Sequence, residues 1–122
     1  MPVLTESNLT AGEKLVMMRR RHGRFGRGIA QRTLARNIQV TRRQIQLAED
    51  DETVPTEWPG PLKKFSAQFR DVQKHELCFV MRRRKKQSLQ ALATELGLSR
   101  FWVQQMELGR EKADVLVAHW KL

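Results

Sequence analysis

The chain has 122 residues, a formal net charge of +10 and a single cysteine. One cysteine excludes an intrachain disulfide framework and favours a reducing cytoplasm. No apolar run approaches the length of a membrane span, and the N-terminus lacks the apolar core of a signal peptide. We therefore expect a soluble cytoplasmic protein whose excess of cations meets a polyanion, because clustered Lys and Arg bind phosphates by releasing their counterions.

The N-terminal segment predicts one helix followed by a glycine-rich break. Thr10 and Glu13 form a capping box, from which a helix should run to about Arg21. Three glycines within residues 23–28 end that helix. This Gly/Arg segment lacks the Lys-Ser/Thr of a phosphate-binding P-loop. We expect it either to follow a phosphate strand or enter a minor groove, because glycine allows close approach and Arg suits narrow grooves, or to be a plain flexible loop.

Two further helices are predicted before the middle of the chain. They cover about 31–37 and 42–48, and Thr41 is a good N-cap for the second of them. The turn between them places Gln39 where the backbone is often left-handed, which strains a non-glycine residue. The acidic block 49–52 follows, and we expect it to be solvated and directed away from phosphate.

The centre of the chain predicts a loop and then a helical connector. Three prolines within 54–61 predict the loop. Apolar residues at three- to five-residue intervals between Leu62 and Val80 predict a helix, which a break near Asp71 could divide. We expect an N-terminal unit over 1–65, with the connector and a C-terminal unit over 66–122.

The C-terminal half repeats the N-terminal half. Residues 29–50 align with 87–108 without a gap, and the matched pairs include Leu34–Ala35 with Leu92–Ala93, Arg42 with Arg100, Gln46 with Gln104, and Glu49 with Glu107. Upstream, Met18–Arg21 recurs as Met81–Arg84. The repeat predicts helices over 88–96 and 100–108, joined by a turn at Gly97 with Ser99 as N-cap, and a short last helix within 112–122. No segment alternates with a two-residue period, so the fold class should be all-α.

These anchors, repeated around a short turn in a basic chain, resemble the lambda-repressor/Cro-like (XRE-type) helix-turn-helix family. The shared features are Gln31 at the start of helix two, the Leu-Ala pairs, the Gly97-Leu98-Ser99 turn and the final Glu of each recognition helix. The resemblance covers about 14–65 and about 77–122, where the fourth helix is cut short. It implies two tandem helix-turn-helix units, sequence-specific binding of double-stranded DNA, a homodimer, and a repressor of phage, plasmid or mobile-element type.

The resemblance also implies which residues contact DNA. Arg can bond bidentately to guanine and Gln to adenine in the major groove. On this basis the base-reading residues are Gln31, Thr41, Arg42, Arg43 and Gln46 in the first unit, and Arg100, Phe101, Gln104 and Gln105 in the second. The predicted backbone contacts are Arg19, Arg20, Arg21, Arg24, Arg27, Arg82, Arg83, Arg84, Lys85, Lys86 and Ser99.

The second unit leaves two interpretations open. Phe101 and Trp102 would either touch thymine methyl groups or form a protein interface, where aromatic anchors dominate. The first unit would then be the principal reader of sequence, and the second unit would either read a second half-site or mediate dimerisation. Two other functions also fit the sequence. One is an antiactivator that binds another regulator through a degenerate helix-turn-helix, and the other is a polymerase-associated factor resembling region four of sigma factors.

No enzyme signature is present in the sequence. His22, His75 and His119 are scattered, and Cys78 has no second thiol at metal-ligand spacing. Cys78 lies in an apolar run and is expected to be a buried structural thiol. We expect no catalytic residue, metal, cofactor or small-molecule ligand.

Overall fold

The protein is all-α, as predicted, in a computed structural model that describes residues 4–22 and 28–122. Within these ranges there is no strand, and no helix is both long enough and apolar enough to cross a bilayer. The α-helices of the described chain are α1 (Ala11–Arg21), α2 (Gln31–Ile38), α3 (Arg42–Glu49), α4 (Gly60–Ala67), α5 (Lys74–Arg84), α6 (Leu89–Leu96), α7 (Arg100–Glu107) and α8 (Asp114–Trp120). Short 3-10 turns lie at Glu6–Asn8 and Pro55–Glu57.

The chain divides into two compact units between Asp71 and Val72, with residues 4–6 belonging to the second unit. The sequence led us to expect this division at residue 65. It lies later because Phe65 and Phe69 are both buried, and because Arg21 donates hydrogen bonds to the carbonyls of Arg70 and Asp71 at 2.7 and 3.2 Å. The predicted connector is accordingly two helices, α4 and α5, separated by residues 68–73.

The first unit is a four-helix cluster in which α1 packs on α3 and α4, and α2 packs on α3. Its fully buried side chains include Leu15, Leu34, Ile45 and Leu62, one from each helix. Burying such a side chain contributes about 1.5–3 kcal/mol. The apolar positions that defined the helices in the sequence therefore form the core that holds them together.

The second unit repeats this packing, since α5 contacts α7 and α8, and α6 contacts α7. Its core contains Cys78, Leu92, Val103, Met106 and Leu116. The predicted last helix is present as α8, and its Leu116 and Trp120 are buried.

The internal repeat extends further upstream than the sequence alignment did. Helices α1 and α5 both have 11 residues. Thr10 and Glu13 form the predicted capping box at the start of α1, and Gln73 and Glu76 form an equivalent capping box at the start of α5. Because glutamine is an uncommon N-cap, the second box is hard to recognise in the sequence.

The turns between the second and third helices adopt the predicted left-handed conformation in both units. Gln39 has φ 57° and ψ 47°, and Gly97 has φ 68° and ψ 30°. The hydroxyls of Thr41 and Ser99 then cap α3 and α7 by accepting from the backbone N–H three residues later, at 3.0 and 3.1 Å. The same turn is therefore built once on glutamine and once on glycine.

A close contact beneath each third helix is built in two opposite ways. In the first unit, Gly12 of α1 donates its N–H to the Asp51 carboxylate at 2.9 Å, and a Cβ on Gly12 would lie 2.5 Å from the carbonyl oxygen of Ala48. In the second unit the glycine is Gly109, and a Cβ there would lie 2.7 Å from the His75 ring. In the first unit the glycine lies on the first helix and its partner side chain, Asp51, follows the third helix. In the second unit the partner side chain, His75, lies on the first helix and the glycine follows the third.

Candidate nucleic-acid interface

A buried ion pair orients the third helix of the first unit. The Arg19 Nε donates to Glu49 Oε2 at 2.7 Å, and its Nη2 donates to Oε1 at 3.1 Å. The Arg19 Nη1 donates to the carbonyl of Ile29 at 2.8 Å. One guanidinium thus ties the end of α1 to the end of α3 and to the segment that leads into α2. The Glu49 side chain is only 4% exposed.

The second unit contains the same arrangement at equivalent positions. The Arg82 Nε and Nη2 donate to Glu107 at 2.8 and 3.0 Å, and Nη1 donates to the carbonyl of Gln87 at 2.9 Å. The Glu107 side chain is 2% exposed. Bidentate Arg–carboxylate pairs are geometrically specific, so each clamp fixes the direction in which its third helix points.

These clamps correct two expectations. Arg19 and Arg82 were predicted to bind phosphate, but their guanidinium groups are committed to internal partners. Glu49 was predicted to be solvated within the acidic block, but it is buried, and Asp51 of the same block accepts hydrogen bonds from Thr10 and Gly12 at the start of α1. The shared reason is tertiary pairing across 25 to 41 positions of sequence, which local patterns do not reveal.

Gln31 also joins the first clamp. It lies at the first position of α2, where the family resemblance places a DNA-contacting glutamine, but its Nε2 donates to Glu49 Oε1 at 2.8 Å. The side-chain donor that was expected to reach phosphate or a base is therefore directed to the buried carboxylate. The equivalent residue of the second unit is Leu89, which packs on the core.

The first turns of α3 present the other predicted readers to solvent. Arg42, Arg43 and Gln46 are exposed, whereas Ile45 of the same helix is fully buried. Thr41 is exposed as well; its hydroxyl oxygen accepts the capping bond, and a hydroxyl in that position can still donate its hydrogen to a phosphate. The face of α3 that the sequence singled out is thus accessible.

Helix α2 adds two arginines that the sequence reasoning did not select. Arg32 and Arg36 are both exposed, and their spacing of four residues places them on one face of the helix. Leu34, which is two residues from each of them, lies on the opposite side of the helix and is buried. The signal was present in the sequence as an Arg pair at helical spacing. The aligned residues of the second unit, Gln90 and Thr94, carry no charge.

The corresponding surface of the second unit has different chemistry. Arg100 and Gln104 are exposed and Gln105 is half-buried, while Phe101 is 64% exposed and Trp102 is 43% exposed. Of the ionisable residues on α6 and α7, one cation (Arg100) and one anion (Glu95) are exposed, since Glu107 is buried. This face is therefore neutral and aromatic, whereas the face formed by α2 and α3 carries four exposed arginines and no exposed acid.

The remaining predicted backbone contacts fall into different surroundings. Arg21 is exposed, but its guanidinium lies 4.2 Å from the centre of the Phe69 ring and donates to the carbonyls of Arg70 and Asp71. It therefore ties the end of α1 to the last residues of the first unit. Lys85 lies 5.2 Å from the centre of the Trp120 ring. Arg84 and Lys86 are exposed, and Arg20 and Arg83 are half-buried. Arg24 and Arg27 lie outside the described residues.

Catalytic groups were not predicted, and the chemistry of the cysteine is consistent with a structural role. Burial raises the pKa of the Cys78 thiol to about 12, and the nearby Glu107 carboxylate adds to the shift. Since the thiolate is the reactive form, this thiol is poorly reactive at neutral pH. Among the residues that the structure describes, no three His, Cys, Asp or Glu side chains are arranged to hold a metal ion.

Comparison with known proteins identified no relative of this chain. No family model matches the chain, and neither the curated proteins nor the solved structures contain a significant match.

Proposed function

We propose that this chain is a sequence-specific double-stranded DNA-binding regulator of transcription that belongs to the helix-turn-helix class and reads DNA with its first unit. The observation that carries the proposal is the exposed surface of α2 and α3. It combines Arg32, Arg36, Arg42 and Arg43 with Gln46, and no exposed carboxylate interrupts it.

The physical basis is the match between this surface and duplex DNA. Arginine forks bond bidentately to guanine N7 and O6, and glutamine bonds bidentately to adenine. Arg42, Arg43 and Gln46 lie within the first two turns of a short helix, the region that a recognition helix inserts into the major groove. Arg32 and Arg36 on α2 then supply phosphate contacts, which position the protein without reading sequence.

The buried clamp supports the same function. Base recognition requires side chains held in a defined orientation by a rigid scaffold. The hydrogen bonds among Arg19, Glu49, Gln31 and the Ile29 carbonyl hold α3 in place while its outer face stays accessible. We propose that the protein acts by occupying an operator and so obstructing polymerase, as a phage, plasmid or mobile-element repressor of the lambda-repressor/Cro type would.

A second candidate function is favoured by one observation, the exposure of Phe101 and Trp102. An antiactivator that binds another regulator would need such aromatic anchors. It would have no need for four exposed arginines on α2 and α3, which is why we place DNA binding first.

Selection of bound fragments from a random-sequence duplex pool, followed by affinity measurements on the enriched and scrambled duplexes, tests the proposal. We expect enrichment of a defined motif. Affinity should fall roughly a thousandfold or more between about 50 and 200 mM salt if six or more phosphates are contacted. Absence of enrichment together with salt-insensitive affinity for every duplex would reject DNA binding. Tight binding to another regulator under those conditions would favour the antiactivator.

A further inference from the structure

We propose that the aromatic face of α7, formed by Phe101 and Trp102, is the surface through which two copies of this chain contact each other on DNA. The inference rests on the proposed function for its DNA component, because it describes how neighbouring bound molecules cooperate. The self-contact itself is a property of the second unit and can be measured without DNA.

The two repeats differ in the side chains that their third helices expose. Phe101 and Trp102 occupy the positions of Arg43 and Gln44. Arg43 is exposed on the surface assigned to DNA. The second unit keeps the same Arg–Glu clamp, so α7 is tied to α5 by a bidentate ion pair, as α3 is tied to α1. A helix with exposed aromatics in place of Arg43 and Gln44 has the composition of a protein-binding surface rather than of a phosphate-binding one.

The charge of the face formed by α6 and α7 favours contact with a second copy of the chain. Two copies of a chain with a net charge of +10 repel each other. The face formed by α6 and α7 exposes one cation, Arg100, and one anion, Glu95. A second copy can approach this neutral face with little like-charge repulsion. The cationic surface formed by α2 and α3 offers no such approach.

The aromatic surface of α7 can also be complementary to its own copy. In a two-fold contact the same patch is used by both molecules, so each side must fit its own copy. Aromatic side chains satisfy this condition because two rings attract each other in offset or edge-to-face geometry. Phe101 and Trp102 are consecutive in α7, and an antiparallel pair of α7 helices that cross at these residues would bring an aromatic ring of one copy against a ring of the other.

The exposed surface area of the two aromatic side chains determines whether the contact forms in solution or only on DNA. An aromatic side chain carries roughly 150–250 Å² of surface. At 64% and 43% exposure, Phe101 and Trp102 together offer roughly 200 Å². A stable interface buries about 800 Å² on each partner. The contact is therefore too small to hold a dimer in dilute solution, but it suffices when DNA holds two molecules side by side, since tethering raises the effective concentration to the order of millimolar.

Sedimentation velocity of the whole chain, without DNA and in high salt, tests the self-contact. We expect monomer at about 10 µM and a growing dimer fraction towards about 1 mM, with a dissociation constant that the Phe101→Gln/Trp102→Gln variant raises about tenfold or more. Val54→Gln is the matched control, because Val54 is 53% exposed but lies in the first unit. It should behave like the wild type. Circular dichroism should show unchanged helicity, because both replaced side chains are exposed.

Binding isotherms on mixed-sequence duplexes of about 20 and 60 bp test the DNA component. We expect cooperative binding of the wild type on the longer duplex, and loss of that cooperativity in the aromatic variant with unchanged affinity for the shorter one. An equal loss on both duplexes would show that α7 reads DNA and would overturn the inference, as would sedimentation and isotherms identical to those of the wild type. Self-association that depends on the aromatics, in a chain that binds no duplex, would reject the proposed function while leaving the contact surface intact.

Discussion

Arg82 and Glu107 form in the second unit the bidentate ion pair that Arg19 and Glu49 form in the first, and in each unit the same guanidinium also bonds to the carbonyl before the second helix. The two copies of the repeat have therefore kept the device that orients the third helix. Their outer faces have diverged, one towards arginine and the other towards exposed aromatics. One scaffold thus carries two different surfaces, a cationic one on α2 and α3 and an aromatic one on α7.

Removing one partner of the second clamp should be costly. Glu107→Gln leaves the Arg82 guanidinium, whose side chain is only 14% exposed, without its counter-charge, and should destabilise the fold by about 3 kcal/mol. Urea denaturation followed by circular dichroism measures the change. Glu95→Gln, with a side chain 53% exposed, is the control and should cost less than about 1 kcal/mol. Replacing both partners, in Arg82→Met/Glu107→Leu, should recover most of the loss; a double variant as unstable as Glu107→Gln would refute this explanation.

The turn residues Gln39 and Gly97 predict opposite effects of exchanging them. Gln39→Gly should stabilise the first unit by about 0.5–1 kcal/mol, because glycine adopts a positive φ without strain. Gly97→Ala should destabilise the second unit by about 1 kcal/mol, and only through its backbone, since a Cβ there has no neighbour within 4 Å. Thermal or urea unfolding of the two variants measures both effects, and changes of the same sign would contradict the account.

The close approach at Gly12 predicts a steric penalty at one glycine and not at another. Gly12→Ala would bring a Cβ to 2.5 Å from the Ala48 carbonyl, a backbone atom, and should destabilise the protein by about 1–3 kcal/mol. Gly60→Ala, at the first position of α4 with open space around it, should be neutral or slightly stabilising. Equal unfolding midpoints for the two variants would show that α1 and α3 are not in close contact.

The raised pKa of Cys78 predicts a loss of stability in alkali. The folded-state pKa of about 12 exceeds the ordinary value of 9.0, so the unfolded chain releases its thiol proton first. This contribution is constant below pH 9 and becomes destabilising as the pH rises from about 9 towards 12. The urea midpoint of the wild type should fall more steeply than that of Cys78→Ala over this interval. The chain has no tyrosine whose ionisation would confuse the comparison. Parallel curves for the two proteins would contradict the assignment.

Features with local causes could be predicted from the sequence. The capping box of Thr10 and Glu13 depends on residues three apart, and the left-handed turn at Gly97 depends on a single glycine. Both are present as expected. The exposure of Arg43 followed in the same way, because a residue two positions from buried Ile45 lies on the opposite side of the helix.

Features that depend on distant pairing could not be predicted in this way. Three consecutive arginines, 19 to 21, look equivalent in the sequence, but they point in different directions around the helix. Arg19 pairs with buried Glu49, whereas Arg21 lies over Phe69. The one available hint was that an Arg and a Glu recur together at aligned positions of both repeats. Such a recurrence indicates a structural Arg–Glu pair rather than a phosphate-binding arginine.

The central claim is that the outward face of α3 reads base sequence. Its most direct test is the ratio of affinities for a selected duplex and a scrambled duplex. The ratio is measured for Arg43→Ala and for Lys63→Ala, which removes a positive charge that is also exposed, from α4. We predict that Arg43→Ala costs about 1–3 kcal/mol on the selected duplex and lowers the ratio, whereas Lys63→Ala leaves the ratio unchanged. If Arg43→Ala weakened both duplexes equally, or neither, the claim would be contradicted.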